Sequence, residues 1–328
     1  MRFRIVMEKA LIVMEKTIRE LMRLRRLAVV IIAGLAPAIL FGAAILRESF
    51  RSGIMSLEMQ THSLVGYFLL ISFMWIAGFY IAYVITTSGM DFVSKEEEDG
   101  TLLLMVSKPI SRFQFILGKF LALLVTTLLL ELVILFGSIV VFWVLLGLDA
   151  DIIKPLIGLV PWIFLYSVIV VILFDSLTIA ISTLFKSRVL KTVLTMLLVM
   201  LVFGVGPILR TVWPTTYEDY HLYYIDAGYH LGNTYVSLSD QAESGRMTPQ
   251  IQAYLGMFTG TYKAGMYEMM LVMFTGSSES FDPDIGAMPP SLEKTNYLTP
   301  LVSVLLCFAV SAAALGAARV AIERKEVY

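Results

Sequence analysis

Lys95-Glu-Glu-Glu-Asp-Gly-Thr-Leu-Leu-Leu-Met-Val-Ser-Lys-Pro-Ile-Ser-Arg112 is a polar stretch set between two apolar runs. The run before it, Ser63–Met90, carries no charge. The run after it, Phe120–Leu148, carries only Glu131. A helix needs about 20 mostly apolar residues to cross a bilayer, so both runs are long enough. The polar stretch is then a loop emerging at one membrane face.

Four further runs have the same character: Leu27–Leu46, Pro155–Phe185, Thr192–Leu209 and Tyr297–Ala318. Asp175 is the one charge within them. Of the 328 residues, 58% are hydrophobic and 16% charged, whereas a soluble domain is about half apolar and a quarter charged. So little polar chain cannot cover six such runs, which excludes a soluble helical core. Strand-length alternation is absent, which argues against a membrane β-barrel. The predicted fold is an all-α membrane protein: six transmembrane helices, an N-terminal interfacial helix, and an enlarged outer segment between helices five and six. The single cysteine, Cys307, excludes an internal disulfide and offers no metal-ligand spacing.

Lys and Arg set the orientation, because loops rich in them stay inside. With the N-terminus in the cytoplasm, the inner segments hold eight (1–26), four (91–119), three (186–191) and three (319–328), which is 18 of the 25. Both termini are therefore expected in the cytoplasm of a multi-pass cell-membrane protein. Residues 1–26 do not read as a cleaved signal, since the charged region is too long and the next apolar run longer than a signal core. Met7, Leu11, Met14, Ile18 and Leu21 recur at helical spacing among cations. Such a helix can lie in the headgroup plane against membrane lipid. The expected layout is 1–26 amphipathic helix, 27–209 spans one to five with the loop 91–119, 210–296 outer segment, 297–318 span six and 319–328 tail.

In the loop, Gly100 permits a turn after the acidic run. Thr101 can cap a short helix, Leu102–Val106; Pro109 ends it, and Ser111 can cap the next one. The order Glu98-Asp99-Gly100-Thr101-Leu102, then Pro109-Ile110-Ser111-Arg112, then Gly118-Lys119 resembles the cytoplasmic loop of ATP-binding-cassette (ABC) transporter permeases of the type-2 exporter class. With the six-span layout, the resemblance extends over most of the chain. It implies that Glu97, Glu98, Gly100, Thr101, Leu102, Pro109, Ser111 and Arg112 couple to a separate ABC ATPase. Glu97 and Glu98 would meet basic groups there, and Arg112 acidic ones. The long outer segment departs from the commonest family pattern and leaves the substrate open.

No G-x-x-x-x-G-K-[ST] occurs in the chain. It does not read as an enzyme and needs no cofactor of its own; ATP and Mg²⁺ would be bound by the partner. An ATP sandwich in that transporter class needs two ATPase copies, and these 328 residues hold one set of six spans. A second permease copy is therefore expected, most simply in a homodimer. Nothing points to nucleic acid.

Glu131 and Asp175 are costly inside a bilayer, so each should face the bundle interior or a cavity; they are the candidate substrate pathway. Alternatively each is neutral or hydrogen-bonded and structural. Ala312 and Gly316 allow close helix packing, within the bundle or at a dimer seam. In the outer segment Thr248-Pro249 predicts a helix start. Ile251, Leu255, Phe258, Tyr262, Met266, Met269 and Met273 then keep helical spacing. The clustered methionines read as packing rather than a metal site. Two other functions fit less of the chain. An ion-driven secondary transporter predicts internal repeats and broken midplane helices, and no convincing repeat occurs. A non-transporting ABC membrane subunit, passing ATP energy to an extracytoplasmic partner, shares the loop and lacks a continuous polar cavity.

Overall fold

The computed structural model describes residues 2–46, 50, 56–92, 111–242, 249–262 and 294–324. Six helices in it are long and apolar enough to cross a membrane: Leu24–Ala44, Gln60–Gly89, Arg112–Leu146, Ala150–Leu184, Arg188–Val212 and Pro300–Ile322. These are the six runs of the sequence, but the helices overrun the apolar stretches. Span three starts at Arg112, eight residues before the apolar run. The reason is a capping box: Ser111 Oγ accepts from Gln114 N, 3.2 Å, and Gln114 Oε1 accepts from Ser111 N, 2.7 Å. Two otherwise unpaired amides are satisfied there, so the helix begins where its cap is rather than where charge ends.

Three spans contain π-helical turns, at Gly42–Leu46, Ser72–Phe79 and Leu201–Val205. Gly78 leaves helical geometry altogether (φ −110°, ψ −109°) and kinks span two. The second and third π turns meet through Phe73 and Phe203, ring centroids 6.4 Å apart. Phe73 also packs on Tyr235 (5.1 Å), and Tyr166 of span four on Tyr235 (4.9 Å). This aromatic cluster lies in the main core, which joins all six spans to the outer segment.

The N-terminal helix, Arg2–Leu21, packs along span three. Its buried face is Ala10, Val13, Thr17 and Leu21. The large apolar stripe read from sequence is rotated from this face: Leu11 is 47% exposed. The cause is Gly118. A Cβ there would lie 2.6 Å from the Ala10 carbonyl oxygen and 2.7 Å from Val13 Cβ. The two backbones approach so closely that small residues make the contact, and Leu11 and Ile12 are left facing outward.

Part of the outer segment is built into the bundle. Helix Ala227–Gln241 is buried continuously from Gly228 to Val236. It lies between spans four and six, and Tyr235 Oη donates to the Leu69 carbonyl of span two, 2.7 Å. Pro249–Thr259 is helical from the predicted proline. It stops well short of the predicted stripe, because Gly260 adopts φ +72°, the left-handed geometry that ends helices. Residues 263–293, with most of the methionines, lie outside the described residues. Of the two uses read for Ala312 and Gly316, close packing within the bundle does not occur. Ala312 and Gly316 are exposed, and nothing lies within 4 Å of where a Gly316 Cβ would sit. Span six instead buries Ser311, Ala314, Ala318 and Ile322.

Candidate coupling face and polar core

The N-terminal helix, the start of spans one and three, and the end of span two converge on one face of the bundle. The polar loop leaves and rejoins the bundle at this face. Glu97, Glu98, Gly100, Thr101, Leu102 and Pro109 lie outside the described residues. Ser111 and Arg112, at the loop's exit, are placed. Ser111 is the cap of span three. Arg112 Nη1 donates to the Ile322 carbonyl, 2.7 Å, in the last turn of span six. That carbonyl belongs to the helix end, where acceptors lack intrahelical partners and a cation is favoured. Arg319 adds a second tie, its guanidinium 5.6 Å from the Phe113 ring centroid. The residue pair entering span three is thus fixed to the end of span six.

Glu131 and Asp175 are both fully buried. The Ser167 hydroxyl of span four donates to Glu131 Oε1, and Ser167 Oγ also lies 2.8 Å from the Ile163 carbonyl oxygen of its own helix. Glu131 Oε2 and both Asp175 oxygens have no hydrogen-bond partner among the described residues. Thr127, Glu131 and Ser138 fall on one face of span three. Ser167, Asp175, Thr178 and Ser182 fall on one face of span four, by the helical spacing of their numbers. The two spans pack against each other. Thr178 reaches span two as well, since a Cβ at Gly89 would lie 2.9 Å from its methyl group. Asp175 is two turns nearer the loop face than Ser167, so Glu131–Ser167 and Asp175 occupy successive levels of this polar seam.

Glu131→Gln preserves an acceptor for Ser167 and should change stability by no more than about 1 kcal/mol. If the carboxyl takes part in the working cycle, permease-stimulated ATP hydrolysis falls by about tenfold, the effect of about 1.4 kcal/mol on a barrier. Glu131→Leu should lower it at least as much. Two folded variants with unchanged stimulation would make Glu131 structural.

On the opposite face a second polar cluster closes the outer segment, and sequence reading passed over it. Arg210 Nη1 lies 2.8 Å from Asp226 Oδ2, with the arginine side chain 4% exposed. Arg210 Nη2 donates to the Phe258 carbonyl, 2.8 Å. Asp226 also accepts from Tyr217 Oη (3.0 Å) and, as the cap of helix Ala227–Gln241, from Tyr229 N (3.2 Å). Burial and the neighbouring Asp226 carboxylate push the Tyr217 hydroxyl far above its usual pKa, so it remains a donor. Burial lowers the pKa of His230, whose Nε2 lies 3.1 Å from the Tyr224 carbonyl. The available sequence signal was Asp226 standing three residues before Tyr229, an N-cap spacing.

The fold is that of a multi-pass, all-helical membrane protein with a polar loop between spans two and three. A sequence model of the ABC-2 family transporter protein matches residues 11–239. That is well over half the chain, which therefore belongs to the ABC-2 transporter family, membrane components that associate with an ABC ATPase. Among curated proteins, none matches the chain.

Proposed function

We propose that this chain is the permease of an ATP-driven exporter, working as a homodimer with two ATPase subunits that bind ATP and Mg²⁺. Both termini and the 93–110 loop face the cytoplasm, and residues 210–296 face outward. ATP-driven closure of the ATPases pushes on the loops, and the spans shift so that a path between two permeases opens outward. The N-terminal helix lies in the headgroup layer, its Leu11 and Ile12 toward lipid. The observation that carries this reading is the capped, doubly anchored entry to span three at Ser111–Arg112. A push delivered there meets a helix already begun and already tied to span six, instead of slack chain.

Replacing Glu97 and Glu98 together by Lys should lower co-purification of the ATPase about tenfold at low salt. Wild-type recovery should fall as salt rises, because exposed charge pairs are screened. Native mass measurement of the wild-type complex should give two permeases and two ATPases. Unchanged recovery would count against the loop contact and the orientation that depends on it. A stable, ATP-hydrolysing complex with one permease would sink the paired mechanism.

A further inference from the structure

His230 ties the outer segment to span six, and its bonds show which ring nitrogen carries hydrogen. Nε2 lies 3.1 Å from the Tyr224 carbonyl, which can only accept, so this nitrogen is the N–H. Nδ1 lies 3.4 Å from Ser303 Oγ of span six. Asn233 Nδ2 donates to the same oxygen, 3.0 Å. The serine hydrogen is then left to donate to a bare Nδ1, as in a neutral ring. A relay runs from Asn233 through Ser303 and His230 to the short turn Leu222–Tyr224.

A second proton breaks the order of this relay. It sets Nδ1–H against the serine hydrogen and places a cation at a residue 4% exposed. The acid whose charge reaches the ring is Asp226, which already holds Arg210 of span five at 2.8 Å. Of the other titratable groups on the surrounding elements, Glu218 accepts from Tyr297 Oη and His221 Nδ1 lies 3.0 Å from Tyr223 Oη. Tyr229 Oη accepts from Leu298 N, Asp240 pairs with Lys294, and Tyr166 of span four packs on Tyr235. Burial accordingly lowers the pKa of His230. The turn itself is exposed at Tyr220, Tyr224 and Ile225. His221 enters it at φ +51°, the left-handed region that few side chains adopt. A charged ring finds water on this side, where the turn stands over Nε2.

We propose that His230 is a proton-operated clasp: a proton taken up at Nδ1 breaks the link to Ser303 and frees the 220–225 turn, with the ring, from span six. The test is amide hydrogen exchange of the purified full chain in detergent, from about pH 8 to about pH 5, a range that spans the ordinary histidine value of about 6.5. The open form takes the proton at that ordinary value and the closed form resists it, so the closed form loses ground as pH falls below it. Protection of residues 222–230, corrected for the intrinsic effect of pH, should there drop by up to about tenfold per pH unit, the effect of one proton. His230→Gln has a donor and an acceptor for the same partners and takes no proton, so its protection should stay constant. His221→Gln, in the same turn, should keep the wild-type loss. Should His230→Gln fail to fold, Ser303→Ala decides: without the hydroxyl that holds Nδ1 bare, the loss should begin at higher pH. A loss unchanged by the His230 and Ser303 variants, or abolished in His221→Gln, would assign the proton elsewhere and overturn the clasp. Protection constant with pH in the wild type would make His230 a fixed structural contact. None of these outcomes depends on the ATPase or on export.

Discussion

Asp226→Ala should destabilise the purified protein by about 3–5 kcal/mol, the usual cost of leaving one member of a buried ion pair behind. Arg210 would keep its Phe258 carbonyl and lose its counter-charge at 2.8 Å. Tyr217 would lose its acceptor and helix Ala227–Gln241 its cap. Asp226→Asn keeps a good capping residue and removes only the charge, so it should fall between the two. The double variant Arg210→Ala/Asp226→Ala should be less unstable than the sum of its single changes, because no charge is then stranded. Thermal unfolding of the detergent-solubilised chain measures all four. Additive single effects would mean that the pair is not coupled.

Gly118→Leu should lower stability by about 1–3 kcal/mol, the range for overpacking a tight contact, and release the N-terminal helix. Even the first carbon of the new side chain would overlap the Ala10 carbonyl and Val13. Since these are backbone and β-branched atoms, the helix must move away as a body. Trypsin should then cut within residues 1–26 faster, at arginines that docking protects, while cleavage elsewhere keeps its rate. Gly118→Ala should give a smaller effect of the same sign. Unaltered N-terminal protection in the leucine variant would show that the contact does not hold the helix.

The spans were the most legible part of the fold, because 18 or more mostly apolar residues with at most one charge are a signal that neighbouring structure does little to mask. Their ends were less so. Ser111 was legible as a cap, yet the apolar run suggested a start at Phe120. Backbone approach left almost no trace in sequence. Gly118 looked like a span boundary and proves to be where another helix touches, which is why Ala10 and Thr17 are buried while Leu11 is not. Helix Ala227–Gln241 was missed for a related reason. It is buried through glycine, asparagine, threonine and tyrosine, whose polar groups are satisfied inside the protein, as Asn233 is by the Leu298 carbonyl and Ser303, and Thr234 by the His230 carbonyl of its own helix. Gly260 was readable as a helix stop, but the helical spacing ran through it. Burial of Glu131 and Asp175 followed from bilayer energetics. The Ser167 contact needed the register of spans three and four, which one sequence does not supply.

The length of span three carries a mechanical consequence. Its 35 residues make a rod of about 52 Å at 1.5 Å per residue, while the hydrocarbon layer is about 30 Å thick. Arg112, Gln114 and Lys119 lie in its loop-side turns, and under the proposed function the bilayer would serve it as a pivot. Displacing the loop-side end would then swing the opposite tip the other way, and the short turn at Gly147–Asp149 would pass that swing to span four, equally long at 35 residues. Arg112 clips the end of span six to the handle of the same lever. On the proposed function, a stroke at the loop would therefore reach both sides of the membrane at once, without first having to melt or remake any helix.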